Sequence, residues 1–268
     1  MAQIPQEIID NIADELWDDA DALDSCAIVC RSFLIPSRRN LFSDIYLNSV
    51  ERLERLHRLL VSKPDLANYI RELTFVASFV SAEDKYLWLS SLRDGRTLPG
   101  ILRLIRRLQI LSWGIGTSVP WGATTIVSWG DFSPELQIAL LDILRSPSLR
   151  SIELSNLYRL PISIINFPHV RKLFLTRVGF EDPVEPLPVT NGPHTLSKLE
   201  FLELRGAFGM QPQVVASISN LRYLLIQSSD ETAGAFIQQI IHSSSRSLEQ
   251  IWLNCPPSYG VIVPTFVP

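Results

Sequence analysis

From residue 70 onward one six-residue pattern, apolar-x-x-apolar-x-apolar, recurs seven times, beginning at Ile70, Ile105, Leu149, Val170, Leu199, Leu221 and Leu248. The second residue is Arg or Glu in every copy, and the starts lie 35, 44, 21, 29, 22 and 27 residues apart. The apolar residues in the second half of the pattern alternate with period two, which is the signature of a strand with one buried face. In a chain that is 46% hydrophobic, one copy would be chance. Seven with a charged second position mark a repeat. The plainer alternative is an ordinary sheet of half-buried strands.

Four of the six spacings fall within the period of leucine-rich repeats, and the motif resembles that family. The two long spacings, near the front, then carry insertions. The resemblance implies an α/β fold over residues 47–268, an irregular leucine-rich-repeat solenoid in which parallel strands alternate with helices. A single copy cannot bury its apolar face, so neighbours stack into one core. Regular repeats keep an Asn ladder; here no single register holds one. Between the strands, 49–61 places Leu53, Leu56, Leu59 and Leu60 on one helical side. Ser81, three residues before Asp84, opens a helix through 92. Ser133 before Pro134 opens another to 145, and 231–243 is a fourth. Residues 112–131, with three Trp and four Gly, and residues 181–193, with four Pro, read as long loops.

In that register the third, fifth and seventh motif residues share the face opposite the core. Early copies place polar residues there, among them Glu72, Thr74, Arg107, Gln109 and Glu153. Later copies place Phe174, Phe201, Tyr223, Leu225 and Trp252, an apolar strip on a face that should meet water. The strip either binds a partner protein, the candidate substrate, or is covered by residues 254–268. That stretch carries no charge and holds Tyr259, Val261, Ile262, Val263 and Phe266.

The first 44 residues lack the repeat. They hold 9 of the 28 acidic residues and 3 of the 24 basic ones. A helix opens at Pro5 with Ile8, Ile9, Ile12 and Leu16 on one face. A second spans roughly 21–31, with Leu23, Cys26, Ala27 and Cys30 at helical spacing. A third follows Pro36. Three short helices bury too little to stand alone, which suggests an interaction module. The segment Ile4-Pro5-Gln6-Glu7-Ile8, then Val29-Cys30-Arg31-Ser32-Phe33, then Leu41-Phe42 resembles the F-box family over residues 4–46. The residues from Pro64 to Leu73 extend the likeness to F-box proteins of mushroom-forming fungi.

That resemblance implies a two-part protein, with an F-box at 1–46 and the repeats at 47–268. It implies the substrate-recognition subunit of a Skp–cullin–F-box ubiquitin ligase. Ile4, Pro5, Ile8, Ile9, Ile12, Val29, Cys30 and Phe33 would form the surface for the Skp-type adaptor and, through it, a cullin. Some of these residues would instead pack the small core. The alternative is an interaction protein whose F-box meets the adaptor outside any active ligase.

No enzyme site emerges. Cys26 and Cys30 have no His within 25 residues, so zinc would lack ligands, and both read as buried structural thiols. His57, His169, His194 and His242 are scattered, His57 as the polar margin of a Leu-rich helix. Gly114-Ile115-Gly116 lacks the remainder of any phosphate-binding loop. Cys255 has no flanking base. We expect no cofactor, no metal and no bond chemistry. A net charge of −4 argues against nucleic acid. Three cysteines, no glycosylation sequon, no signal-like start and no long apolar run point to a reducing compartment, cytoplasmic or nuclear, and against secretion or a membrane.

Overall fold

A computed structural model describes residues 4–78, 82–116, 127–161, 164, 167–181, 196, 198–206, 218–227 and 233–254. The chain is α/β. Eight parallel strands form one sheet, and they lie in the order in which the chain makes them. They are β1 (Asp44–Leu47), β2 (Glu72–Ser78), β3 (Ile110–Gly116), β5 (Ser151–Ser155), β8 (Lys172–Thr176), β10 (Phe201–Arg205), β11 (Tyr223–Gln227) and β12 (Gln250–Asn254). The two-residue strands β4 (Val127–Ser128), β6 (Leu157–Tyr158), β7 (Leu160–Pro161) and β9 (Phe180–Glu181) make two small parallel pairs beside it.

The register explains the motif. Its fourth and sixth residues stack into two inward rows. One runs Ile45, Leu73, Leu111, Ile152, Leu173, Leu202, Leu224 and Ile251; the other begins at Leu47, Phe75 and Trp113. At each strand entrance one carbonyl accepts two amide hydrogens from the next copy. Ser43 O takes those of Arg71 and Glu72, Arg71 O those of Gln109 and Ile110, and the pattern continues to Arg222 O with Glu249 and Gln250. The strands' exits are also alike. Asn156, Arg177 and Gly206 each follow a strand with φ between 53° and 60°, and each amide binds the final carbonyl of the following strand, Thr176, Arg205 or Gln227. Asn156 also donates from its side chain to Ile115 O, 2.6 Å away.

Two corrections to the expected repeat follow. The copy expected at Ile105 begins at Leu108, since Ile110 pairs with Glu72 and with Ser151. Arg107 and Gln109 therefore precede β3, and Ile110 and Ser112 take the outward positions. An eighth copy begins at Phe42, whose strand is β1, so the sheet starts inside the segment read as F-box. Residues 112–116 belong to β3 instead of a loop, and Trp113 is 1% exposed.

Helices cover the inward face. They are α4 (Val50–Ser62), α5 (Ala82–Arg93), α6 (Thr97–Leu104), α7 (Pro134–Leu144) and α8 (Ala233–Ser243). Leu53, Leu56 and Leu60 of α4 and Ile101 and Leu102 of α6 join the sheet's inward rows in one continuous core. Ser49 and Ser133 accept the amides of Arg52 and Leu136 as N-caps. The unexpected helix is α6, which contains Pro99 and Gly100. At Gly100 a Cβ would lie 2.7 Å from His57 Nε2, so the glycine sits where α4 and α6 approach closely.

Three helices precede the sheet: α1 (Gln6–Glu15), α2 (Ala20–Val29) and α3 (Arg31–Leu41). Helix α3 begins five residues before Pro36 instead of after it. Proline has no amide hydrogen for the carbonyl four residues back. That carbonyl, Ser32 O, accepts the Gln6 side chain of α1 instead, at 3.2 Å. Asn40 donates to Ala13 O at 2.6 Å and to Asp14 at 3.1 Å, and Arg39 pairs with Asp14 at 2.7 Å. Among the described residues no helix is long and apolar enough to cross a membrane.

Candidate protein-interaction surfaces

On the N-terminal helices the apolar residues divide into two sets. Ile9, Ala13 and Leu23 are buried. Ile4, Pro5, Ile8 and Ile12 are exposed, as are Val29 and Cys30, while Phe33 is half-buried. The expected single stripe of Ile8, Ile9, Ile12 and Leu16 therefore splits: Ile9 with Ala13 faces inward, and Ile8 with Ile12 faces out. Both pairs have the four-residue spacing of neighbours on one helix face. Ile9 thus leaves the expected contact set.

Cys30 ends α2 and starts α3 in an extended conformation. It is exposed and Cys26 half-buried, so only Cys26 approaches the expected buried state. Three exposed apolar residues escaped the sequence reading: Trp17, Ile28 at 87% exposure, and Ile35. Ile28 stands beside Val29 at the end of α2, and its neighbourhood to a motif residue was the available signal. Asp14 is held below the usual carboxylate range by hydrogen bonds from Asn40 and Arg39.

The second surface is the sheet's outward face. Phe201 and Tyr223 are direct cross-strand partners, their ring centres 6.3 Å apart. Phe174 meets Phe201 at 5.0 Å. Leu225 lies opposite Trp252, which is 49% exposed. The five residues thus share one face, but Glu203 stands between Phe174 and Leu225 in their row. Glu203 is neutralised by Arg205 on its own strand, at 2.5 Å. The Arg222 guanidinium lies 5.7 Å from the Tyr223 ring centre. Residues 255–268, the candidate cover for this strip, lie outside the described residues, as do Cys255 and His194.

Toward the front the same face is mixed, with the apolar Val76 and Ile110 among its polar side chains. Thr74, Ser112, Glu153, Ser155 and Asn156 line a cleft of about 370 Å³, in which the Ser112 hydroxyl donates to Glu153 at 3.2 Å. Among the described residues no group of three or more His, Cys, Asp or Glu side chains is placed to hold a metal ion. No protein-family model matches the chain, and no curated protein matches it.

Proposed function

We propose that this chain is the substrate-recognition subunit of a Skp–cullin–F-box ubiquitin ligase. Helices α1–α3 act as the F-box and dock a Skp-type adaptor. The repeats form an irregular leucine-rich-repeat solenoid that holds a protein substrate on its outward face. The chain performs no bond chemistry; it raises the local concentration of substrate lysines near the conjugating enzyme. The reading rests above all on one observation: Ile4, Pro5, Ile8, Ile12 and Val29, motif residues of the resemblance, are solvent-exposed on helices too small to spare them. Each such Ile or Val side chain gains about 1.5–3 kcal/mol when a partner covers it fully. The strip of Phe174, Phe201, Tyr223, Leu225 and Trp252 supports the second half of the reading, because apolar side chains left partly or fully exposed together on an outward sheet face mark an interaction surface.

The test is co-expression with a fungal Skp-type adaptor, followed by affinity capture and immunodetection of the cullin. The wild-type chain should retain both. Ile8→Asp with Ile12→Asp places two charges in the contact and should abolish capture without lowering the melting temperature, because both sites are exposed. A wild-type chain that captures no adaptor sinks the proposal, as does a double variant that captures it fully. Adaptor without cullin would favour an interaction protein acting outside a ligase.

A further inference from the structure

Four successive copies of the repeat each contribute one cation to a groove of about 590 Å³ at the entrance to their strands: Arg171 before β8, Lys198 before β10, Arg222 before β11 and Arg246 before β12. In sequence these residues lie 27, 24 and 24 positions apart, within the period of the repeat itself. The sheet aligns them. The amide of Glu200 binds Arg171 O at 2.9 Å, that of Arg222 binds Glu200 O at 2.8 Å, and that of Glu249 binds Arg222 O at 2.8 Å. These hydrogen bonds join the backbone beneath the groove from one copy to the next.

Two carboxylates share the groove. Glu200 pairs with Arg171 at 3.5 Å and Glu249 with Arg222 at 2.6 Å. Lys198 and Arg246 have no ion pair among the described residues. Four cations against two anions leave a local positive excess in a chain whose net charge is −4.

We infer that this groove binds an extended acidic segment of a partner protein. Its length excludes a single small anion as the fitting ligand: three strand intervals of about 4.8 Å separate the first cation's copy from the last, roughly 14 Å in all. The copies bearing Lys198 and Arg246 are two intervals apart, about 9.6 Å, and an extended chain covers that distance in about three residues. The fitting sequence therefore carries Asp or Glu three residues apart. Arg171 and Arg222 keep guanidinium donors that their Glu partners do not use. The two carboxylates in the wall would repel a nucleic-acid backbone, which carries a charge at every residue, but they tolerate an acidic peptide with neutral residues between its charges. The site does not depend on the N-terminal helices or on the adaptor.

The test is fluorescence anisotropy at low salt with the full chain and a short labelled peptide bearing Glu at every third position, Ser and Gly between. Saturable binding is expected. Lys198→Glu with Arg246→Glu should weaken it about tenfold or more, the loss expected for charge-assisted hydrogen bonds, and should bring a gain in binding of the matching Lys-bearing peptide. Arg107→Glu, at an exposed cation beside an earlier strand, should change nothing, and all variants should keep the wild-type melting temperature. Absence of saturable binding overturns the inference. So does equal binding by the double variant, or a single-stranded oligonucleotide of equal charge that binds as tightly as the peptide.

Discussion

At the level of single residues, the outward face is least comfortable at its front edge. Asp44 and Glu72 stand opposite each other in the first strand pair. Glu72 is held above the usual glutamate range, first by burial and then by the charge of Asp44. A raised carboxylate affinity for protons means that the folded state bears a penalty above that pKa, which disappears as the group protonates. Like charges opposite each other in a sheet cost about 0.2–1 kcal/mol. Glu72→Gln should therefore stabilise the chain by about that much at neutral pH. The gain should shrink as pH falls through the carboxylate range, because the wild-type Glu72 then carries a proton as well. Urea unfolding at both pH values checks this; a gain that grows toward acid would show the sign to be wrong.

Among the elements, α1 is tied to α3 by side-chain hydrogen bonds and an ion pair. Asn40 is the joint, since its amide serves both Ala13 O and Asp14. Asn40→Ala should cost about 1–2 kcal/mol, the typical worth of such hydrogen bonds. The loss should show as faster amide exchange in α1 while β5 and β8 stay protected. If exchange in α1 is unchanged, the joint carries no weight. None of these contacts was readable beforehand, because they join residues 25 or more positions apart. What is readable is local: the period-two alternation, the Ser133 cap and the outward strip. The β3 copy slipped by three residues because Ile105, Leu108 and Ile110 satisfy the same pattern as Leu108, Leu111 and Trp113. The β1 copy escapes because Leu41-Phe42 reads as the close of the F-box-like motif. Helix α6 escaped because Pro99 and Gly100 argue against a helix locally, whereas burial of Leu98, Ile101 and Leu102 decides it. For the acidic-segment groove, the spacing of Lys198, Arg222 and Arg246, 24 positions each, is present in the sequence, but only the side-by-side stacking of β10, β11 and β12 turns that spacing into a groove.

For the molecule as a whole, each strand of the eight-stranded sheet pairs only with the strands of that sheet that come next before and after it in the chain. In a repeat solenoid of the kind proposed, stability is a sum over neighbours more than a property of one distant closure. The aromatic centre of this array lies near the front. Trp113 of β3 stacks on Phe75 of β2 with ring centres 4.3 Å apart, and Phe132 and Trp88 extend the cluster. Trp113→Ala should leave a cavity costing about 3–5 kcal/mol. Because contacts run between neighbours, the damage should be uneven. Amides of β2, β3 and β5 should exchange much faster, whereas those of β10 and β11 should keep most of their protection. Hydrogen exchange followed strand by strand distinguishes this from a single cooperative core, in which all strands would lose protection together. The same gradient bears on the groove at the far end. If the array is nearest-neighbour in its energetics, Trp113→Ala should leave acidic-peptide binding at Lys198 and Arg246 nearly intact at temperatures where the front strands have already opened.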